Sequence, residues 1–353
     1  MRRFIIARLG SMIGVFAGLT AVTFLMTQIL PGDPARAAAG RNATAEQVSA
    51  IRAKLGLDEP LFQQFVQYLE RMMRADFGTS VFTHRPVLAD IMEVLPSSIE
   101  LVLAAMLINL FVAVPIGVLA AYRRGRLTDV AARLLVLVGA AIPAFWLGLI
   151  LQMIFAEQLR ILPLSGQLGF GFEVPKVTGM ITADAVIATD FGALMDALRH
   201  LVLPALSLSA AFVAVVARTV RSSMIGVLEA DYINLARATG ASEWRVVVRH
   251  GLRNAFLPTS TILGMQLGWM LGATVLIESI FSRTGIGAYM VTAVLQNDLY
   301  AVIGSVLVIG VVFVLANFFV DLLQLWLDPK LRAPRAVRGD QVPSSQLATE
   351  RLS

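Results

Sequence analysis

The sequence predicts an all-α, polytopic membrane protein with six transmembrane helices. Three observations carry that prediction. The chain of 353 residues is 57% hydrophobic and only 15% charged, with a mean hydropathy of +0.74, whereas soluble domains carry about 25% charged residues. Six apolar runs are long enough to cross, or nearly cross, a hydrocarbon core of about 30 Å. The basic residues of the short connections alternate from one side to the other as the runs succeed one another.

The first run covers residues 9–30. Arg2 and Arg3 before it and Ala37–Ala39 after it resemble a secretory signal with its cleavage site. The apolar run exceeds the usual length of about 7–15 residues in such a signal, so a retained helix is expected. Residues 31–98 follow as an outer helical loop. In it Thr44 precedes Ala45-Glu46-Gln47 at capping-box spacing, and Gly56 stops that helix. Asp58 and Pro60 start another, with Leu61, Phe65 and Leu69 on one face. Asn42-Ala43-Thr44 matches a glycosylation acceptor, but Thr44 is better used as a cap.

The remaining runs are 99–121, 134–156, 201–217, 255–277 and 301–319, and the core they form is taken as 94–325. The fourth is short, with Arg218 snorkelling at its end. Residues 158–196 are rich in Gly without a clear period and are expected to be loop, and 328–353 read as a polar tail. Arg123, Arg124 and Arg126 crowd one connection, and 218–254 is also basic. The positive-inside rule therefore places both termini in the cytoplasm of a cell whose inner (plasma) membrane holds the chain. A pI near 10 is accounted for by these loops, so no nucleic acid is expected.

Several chemistries are excluded. There is no Cys, and His84, His200 and His250 are too far apart for a metal motif. None of the three lysines, Lys54, Lys176 and Lys330, is followed by Ser or Thr, so there is no phosphate-binding loop. No G-x-S-x-G elbow occurs. An intramembrane protease pairing His200 with Ser207 would need to close about 10 Å along a helix. An ion-coupled transporter would keep ionisable groups at mid-membrane, yet Glu100 and Glu278 fall at outer ends, where a solvated position is expected for Glu278 and a gate contact is the alternative. His200 and His250 are expected to make structural hydrogen bonds. The chain is thus expected to be a conduit, not an enzyme, with no cofactor of its own.

Residues 229–254 carry unusual punctuation for a loop. Asp231 is placed to cap a helix over 232–239, Gly240 to stop it, and Ser242 to cap a second helix over 243–253. Arg245, Arg249 and Arg253 share one side of that second helix, and Ala236 and Ala238 leave a small-residue surface on the first. Pro258 restricts entry into the next span. Gly264, Gly268 and Gly272 form a GxxxGxxxG face in the fifth span. Bundle packing is the expected role of at least two of them, with a subunit interface or pathway wall as the sharper alternative for Gly268.

This arrangement resembles the coupling loop of ABC importer permeases, whose loose pattern is E-A-A-x3-G-x9-I-x-L-P. Ala236 and Gly240 match the last Ala and the Gly, while Asn234 and Leu235 replace the Glu and the middle Ala. The departures resemble the first permease subunit of dipeptide and oligopeptide importers, which reads D-Y-[VI]-x-x-A-R-A-x-G and then R-H-x-L-R-N-A. Asp231, Tyr232, Ala236, Arg237, Ala238 and Gly240 fit the first pattern, and Arg249, His250 and Arg253 the second. Further pieces follow the branch in order: LPGDP at 30–34, DFGTS at 76–80, IPAFWLG at 142–148, HLVLPA at 200–205 and ESIF at 278–281. Thr284-Gly285-Ile286-Gly287 stands where the branch has Pro-Gly-Ile-Gly.

The resemblance implies the type I ABC importer permease fold and a heterodimer with a second homologous permease in the lipid bilayer. It implies two ATP-binding subunits docked on the loop at 229–254, with Leu235 and Trp244 among the docking residues. ATP would be bound by those partners alone, and a periplasmic or lipid-anchored substrate-binding protein would deliver peptides or similar small solutes for alternating access. Gly264, Gly268, Gly272 and Glu278 are the candidates for helix packing or the pathway.

Overall fold

A computed structural model describes residues 2–29, 35–36, 43–54 and 56–327. The LPGDP motif, the Ala37–Ala39 run, Asn42 and the tail from 328 lie outside the described residues. The described chain is helical, with a single antiparallel bridge between Thr79 and Pro86 as its β pairing. The helices are α1 (Arg2–Ile29), α2 (Ala45–Lys54), α3 (Leu61–Met73), α4 (Val87–Tyr122), α5 (Leu127–Ala141) and α6 (Ala144–Gln158). There follow α7 (Ile181–Ile187), α8 (Phe191–Leu228), α9 (Asp231–Ala238), α10 (Arg245–Ile280), α11 (Ile286–Leu295) and α12 (Leu299–Leu327). Five of these are long and apolar enough to cross a membrane, and α5 with α6 forms a sixth candidate bent by 98°.

The bend corrects the expected straight span over 134–156. Pro143 excludes the helical conformation from the residue before it, and Ile142 is extended at φ −84, ψ 125. The second and fourth spans are also much longer than their apolar runs. α4 has 36 residues and α8 has 38, or about 55 Å each at the helical rise, so both project beyond a bilayer core. Residues 87–98 therefore belong to α4 rather than to the outer loop. Residues 158–196 are not all loop either. They contain α7, and α8 starts at Phe191, where Asp190 accepts a hydrogen bond from the Ala193 N–H (2.9 Å).

The capping box at α2 forms as expected: Thr44 N–H donates to Gln47 Oε1 (2.9 Å) and Gln47 N–H donates to Thr44 Oγ1 (3.3 Å). Gly56 takes φ +66, the left-handed stop. α3 then begins after Pro60 with no cap from a side chain. α3 packs on α1 through Phe24, whose ring lies 5.3 Å from Phe65 and 5.6 Å from Tyr68. The Tyr68 hydroxyl donates to Thr23 (3.0 Å). This small cap, with the turns around it, defines one end of the molecule, here the cap end. The arginine-rich connections define the other, the basic end.

The core is built by α4, α8 and α10, and the contact of α4 with α8 is the most extensive. It is close because Gly117 lacks a side chain: a Cβ there would stand 2.7 Å from the Ala217 carbonyl oxygen. Leu101, Val102, Leu203, Leu208, Met270 and Ile277 fill the space between the three helices. One buried amide network ties all three together. Asn109 Nδ2 donates to Gln266 Oε1 (2.7 Å), and Gln266 Nε2 donates to the Phe212 carbonyl (3.2 Å). α1 and α12 pack outside this core and are joined by an Arg8–Asp321 ion pair.

Candidate functional site

The punctuated loop folds as a helical hairpin at the basic end. Asp231 does not cap it. Ala230 is the extended residue before the helix (φ −75, ψ 147), no side chain caps it, and Asp231 stands in the first turn, where a negative charge still favours the helix dipole. Gly240 does stop α9, at φ +85. The Ala241 N–H donates to the Ala236 carbonyl and the Gly240 N–H to the Arg237 carbonyl, both at 3.0 Å. That pair of bonds satisfies the terminal carbonyls and turns the chain. Val246 N–H then donates to the Ser242 carbonyl (2.9 Å), starting the next helix from the main chain.

The hairpin is fixed from beneath. Ile233 and Val246 are fully buried, and Val247 packs with Val216, Val220 and Met224 of α8. Gly251 is buried, and a Cβ there would meet Met224 at 3.1 Å. Arg237 pairs with Glu243 across the turn (3.0 Å), and Arg124 pairs with Glu229 (2.6 Å). Asn254 Nδ2 joins the Tyr232 hydroxyl (3.2 Å) to the His250 carbonyl (2.9 Å). The upper surface is different. Tyr232, Leu235 and Trp244 are 45%, 66% and 78% exposed. Arg245, Arg249 and Arg253 are exposed on one side as the spacing predicts, and none is ion-paired among the described residues. Ala238 is exposed and Ala236 half-buried.

The second hairpin helix does not end at residue 253. It continues through Pro258 into the fifth span, so that Arg245–Ile280 is one helix of 36 residues. Its first turns, Arg245–Leu252, have π pitch. The glycine face of this helix packs inside the chain. A Cβ at Gly264 would collide with Val320, and one at Gly268 with the Phe313 ring, both of α12. Gly272 has open space. Gly264 and Gly268 thus each allow a close contact with α12 within the chain, and Gly272 does not.

At the cap end α10 delivers Glu278 into a buried elbow. Glu278 is 0% exposed, which corrects the expectation of a solvated position. Its Oε2 accepts from the N–H groups of Gly287 (2.8 Å) and Ala288 (3.1 Å), and its Oε1 accepts from Ser98 Oγ (2.6 Å). Ser98 Oγ also accepts from the Ile286 N–H (2.8 Å). Glu278 and Ser98 together thus cap α11 from outside its own sequence. The glycines of Thr284-Gly285-Ile286-Gly287 are required by this arrangement. A Cβ at Gly285 would collide with the Glu278 carboxylate, and one at Gly287 would stand 2.5 Å from Val275 Cα.

Glu100, also buried, accepts from Thr182 N–H (2.7 Å) and Oγ1 (2.6 Å) and from Arg283 (3.2 Å). Burial pulls the Arg283 guanidinium below its ordinary pKa, while Glu100 and Glu278 work against that. His200, facing the Asp196 carbonyl at 2.9 Å, makes the expected structural hydrogen bond. Ser207 donates to the Leu203 carbonyl (2.7 Å), so the two form no catalytic pair.

Sequence reasoning missed one cluster at the basic end. Asp129, in the first turn of α5, is 1% exposed. It receives a forked pair of bonds from Arg221 of α8, at 2.8 and 2.9 Å, and one from the Gly125 N–H at 3.1 Å. Acid among the basic residues of a loop is the only local signal, because Asp129 and Arg221 are 92 residues apart. Among the described residues no group of His, Cys, Asp and Glu could hold a metal ion.

Comparison with known proteins adds a family context. A family model described as the inner membrane component of binding-protein-dependent transport systems matches residues 113–333, and one for the N-terminal part of such membrane components matches residues 1–102. The chain is 41% identical over 318 residues to a probable D,D-dipeptide transport system permease protein, DdpB, of Escherichia coli K12, covering 90% of this chain and 94% of the relative. It is 38% identical over 336 residues to the di/tripeptide transport system permease protein DppB of Pseudomonas aeruginosa, covering 95% and 100%. It is 35% identical over 332 residues to the glutathione transport system permease protein GsiC of Salmonella choleraesuis, covering 94% and 99%.

Proposed function

This chain belongs to the family of inner membrane components of binding-protein-dependent transport systems, and on that premise we propose how it works within an importer. It is a multi-pass membrane permease subunit, not an enzyme. With a second, similar permease it forms the pathway for short peptides or chemically related solutes, the class named in its relatives. The basic end faces the cytoplasm, where two ATP-binding subunits dock, one of them on the hairpin at 229–254. A binding protein docks at the cap end.

The observation that carries this reading is the continuity of α10. One helix starts in the exposed hairpin, crosses the bundle and ends at Glu278 in the elbow that holds α11. A push on Trp244 therefore enters α10 directly, and one on Leu235 or the small face at Ala236 reaches it through the Gly240 turn and the Arg237–Glu243 pair, after which no further loop intervenes before the elbow. Closure of the ATP-binding pair moves the hairpin, and α10 carries the movement to the elbow, opening the pathway alternately to the two sides. The middle of the bundle supports a conduit driven from outside, with the Asn109–Gln266–Phe212 amide network tying its three core helices.

The test is extraction in mild detergent from the native membrane, followed by mass spectrometry of what co-purifies. A second multi-span chain together with an ATPase bearing a phosphate-binding loop is the expected result. A chain that elutes alone, under conditions in which other membrane complexes survive, contradicts it.

A further inference from the structure

At the basic end a groove of about 270 Å³ opens between α4, α5 and α8. Its walls are apolar: Ile116 and Ala120 of α4 face Val136 and Leu137 of α5. Its rim is not. Arg133, Arg218 and Arg221 all line it. The charges on this rim do not cancel. Asp129 is the acidic group that faces them, and both of its oxygens are engaged by the Arg221 fork. Arg133 lies 3.4 Å from Asp129 with its side chain 57% exposed. Arg218 is exposed and forms no ion pair among the described residues. Arg123 and Arg126 stand in the adjacent turn and do not line the groove, and Arg124 is taken by Glu229.

We propose that this groove is a binding site for an anionic phospholipid, with an acyl chain against Val136 and Leu137 and the headgroup phosphate between Arg133 and Arg218. The occupant follows from charge complementarity along one direction. A membrane helix pair that is apolar below and carries above it an unpaired Arg218 and an Arg133 held to Asp129 only by one long, exposed contact matches an amphiphile with an apolar tail and a phosphate head. Guanidinium is the side chain best suited to a phosphate, through paired N–H donors. Basic pockets between transmembrane helices on the cytoplasmic side take anionic headgroups for the same reason. The site borders the hairpin, since Arg221 lies in the last two turns of α8 before α9. A bound lipid would wedge α5 against α8 where α8 feeds the hairpin. This proposal does not depend on what the complex carries.

The test uses the extracted, delipidated complex, offered dioleoylphosphatidylglycerol, dioleoylphosphatidylcholine or inorganic phosphate, with bound lipid counted by native mass spectrometry. Phosphatidylglycerol is expected to be retained and phosphatidylcholine not, with inorganic phosphate failing to displace the lipid. The variant Arg133→Gln/Arg218→Gln should weaken retention about thirtyfold, from about 1 kcal/mol per basic residue. Val136→Trp fills the groove without removing charge and should also abolish retention. Arg123→Gln/Arg126→Gln removes the same charge from the turn outside the groove and should leave retention unchanged. Equal retention of both lipids, loss of binding in the turn variant, displacement by inorganic phosphate, or full retention by Val136→Trp would each overturn the proposal.

Discussion

At the cap end Glu278, Glu100 and Arg283 are almost inaccessible, and every carboxylate oxygen of the two glutamates has a donor. At the basic end Tyr232, Leu235 and Trp244 stand largely in the open on a hairpin whose underside is tightly packed. One helix, α10, joins the two, running from Arg245 in the hairpin to Glu278 in the elbow. A polar group buried without partners costs more than its bonds return; the two glutamates at the cap end are satisfied within the chain, while Arg283 bonds through Nη2 alone and leaves Nε and Nη1 without a partner among the described residues. An exposed apolar surface on a fixed hairpin is not satisfied within the chain. The comparison teaches that the elbow is a structural joint and the hairpin a surface finished by another chain.

The comparison can be broken most directly at the elbow. Glu278→Ala strips the N–H groups of Gly287 and Ala288 and the Ser98 hydroxyl of their acceptor. A loss of about 3 kcal/mol is expected from such unmet buried donors, read as a large drop in the thermal unfolding temperature in detergent. An unchanged melting curve would mean that the elbow does not hold α11 as described.

A somewhat smaller effect is expected where the basic end is anchored. Arg221→Met leaves the buried Asp129 with only the Gly125 N–H and the long contact to Arg133, a loss of about 2 kcal/mol. The double variant Asp129→Leu/Arg221→Met should recover most of that, and a double-mutant cycle showing no coupling would remove the anchor from the account.

The middle of α10 sharpens the contrast further. Gly268→Leu must displace the Phe313 ring and should cost about 2 kcal/mol as overpacking. Gly272→Leu enters open space and should fall within about 0.5 kcal/mol of the parent. Equal effects at the two sites would mean that the glycine face is not divided as the packing against α12 requires.

Much of this was legible in the sequence, and the parts that were not share a physical cause. Gly240 at the end of α9 and the Thr44–Gln47 box follow from local chemistry over a few residues, and both appear as expected. The identity of the hairpin as two helices was likewise local. Asp231 failed as a cap because Asp is favourable both before a helix and in its first turn, and spacing alone does not separate the two. Glu278 was read as solvated because its partner Ser98 is 180 residues away, and nothing nearby announces a buried acceptor except Gly285 and Gly287. The 98° bend at Pro143 was hidden by hydropathy, which is blind to direction. The continuity of α10 was hidden by Pro258, which a long helix tolerates when its neighbours fix it.

The claim at the centre of the account is that the hairpin transmits ATP-driven movement, and Ala236→Arg tests it most directly. The side chain at 236 lies half-buried on the small-residue face of α9 and belongs to none of the apolar clusters of the core, so insertion and melting temperature should stay unchanged. In the reconstituted complex, ATP hydrolysis should lose its stimulation by solute and binding protein. Stimulation at the parent level, in a variant that inserts and assembles normally, would contradict the assignment of this surface.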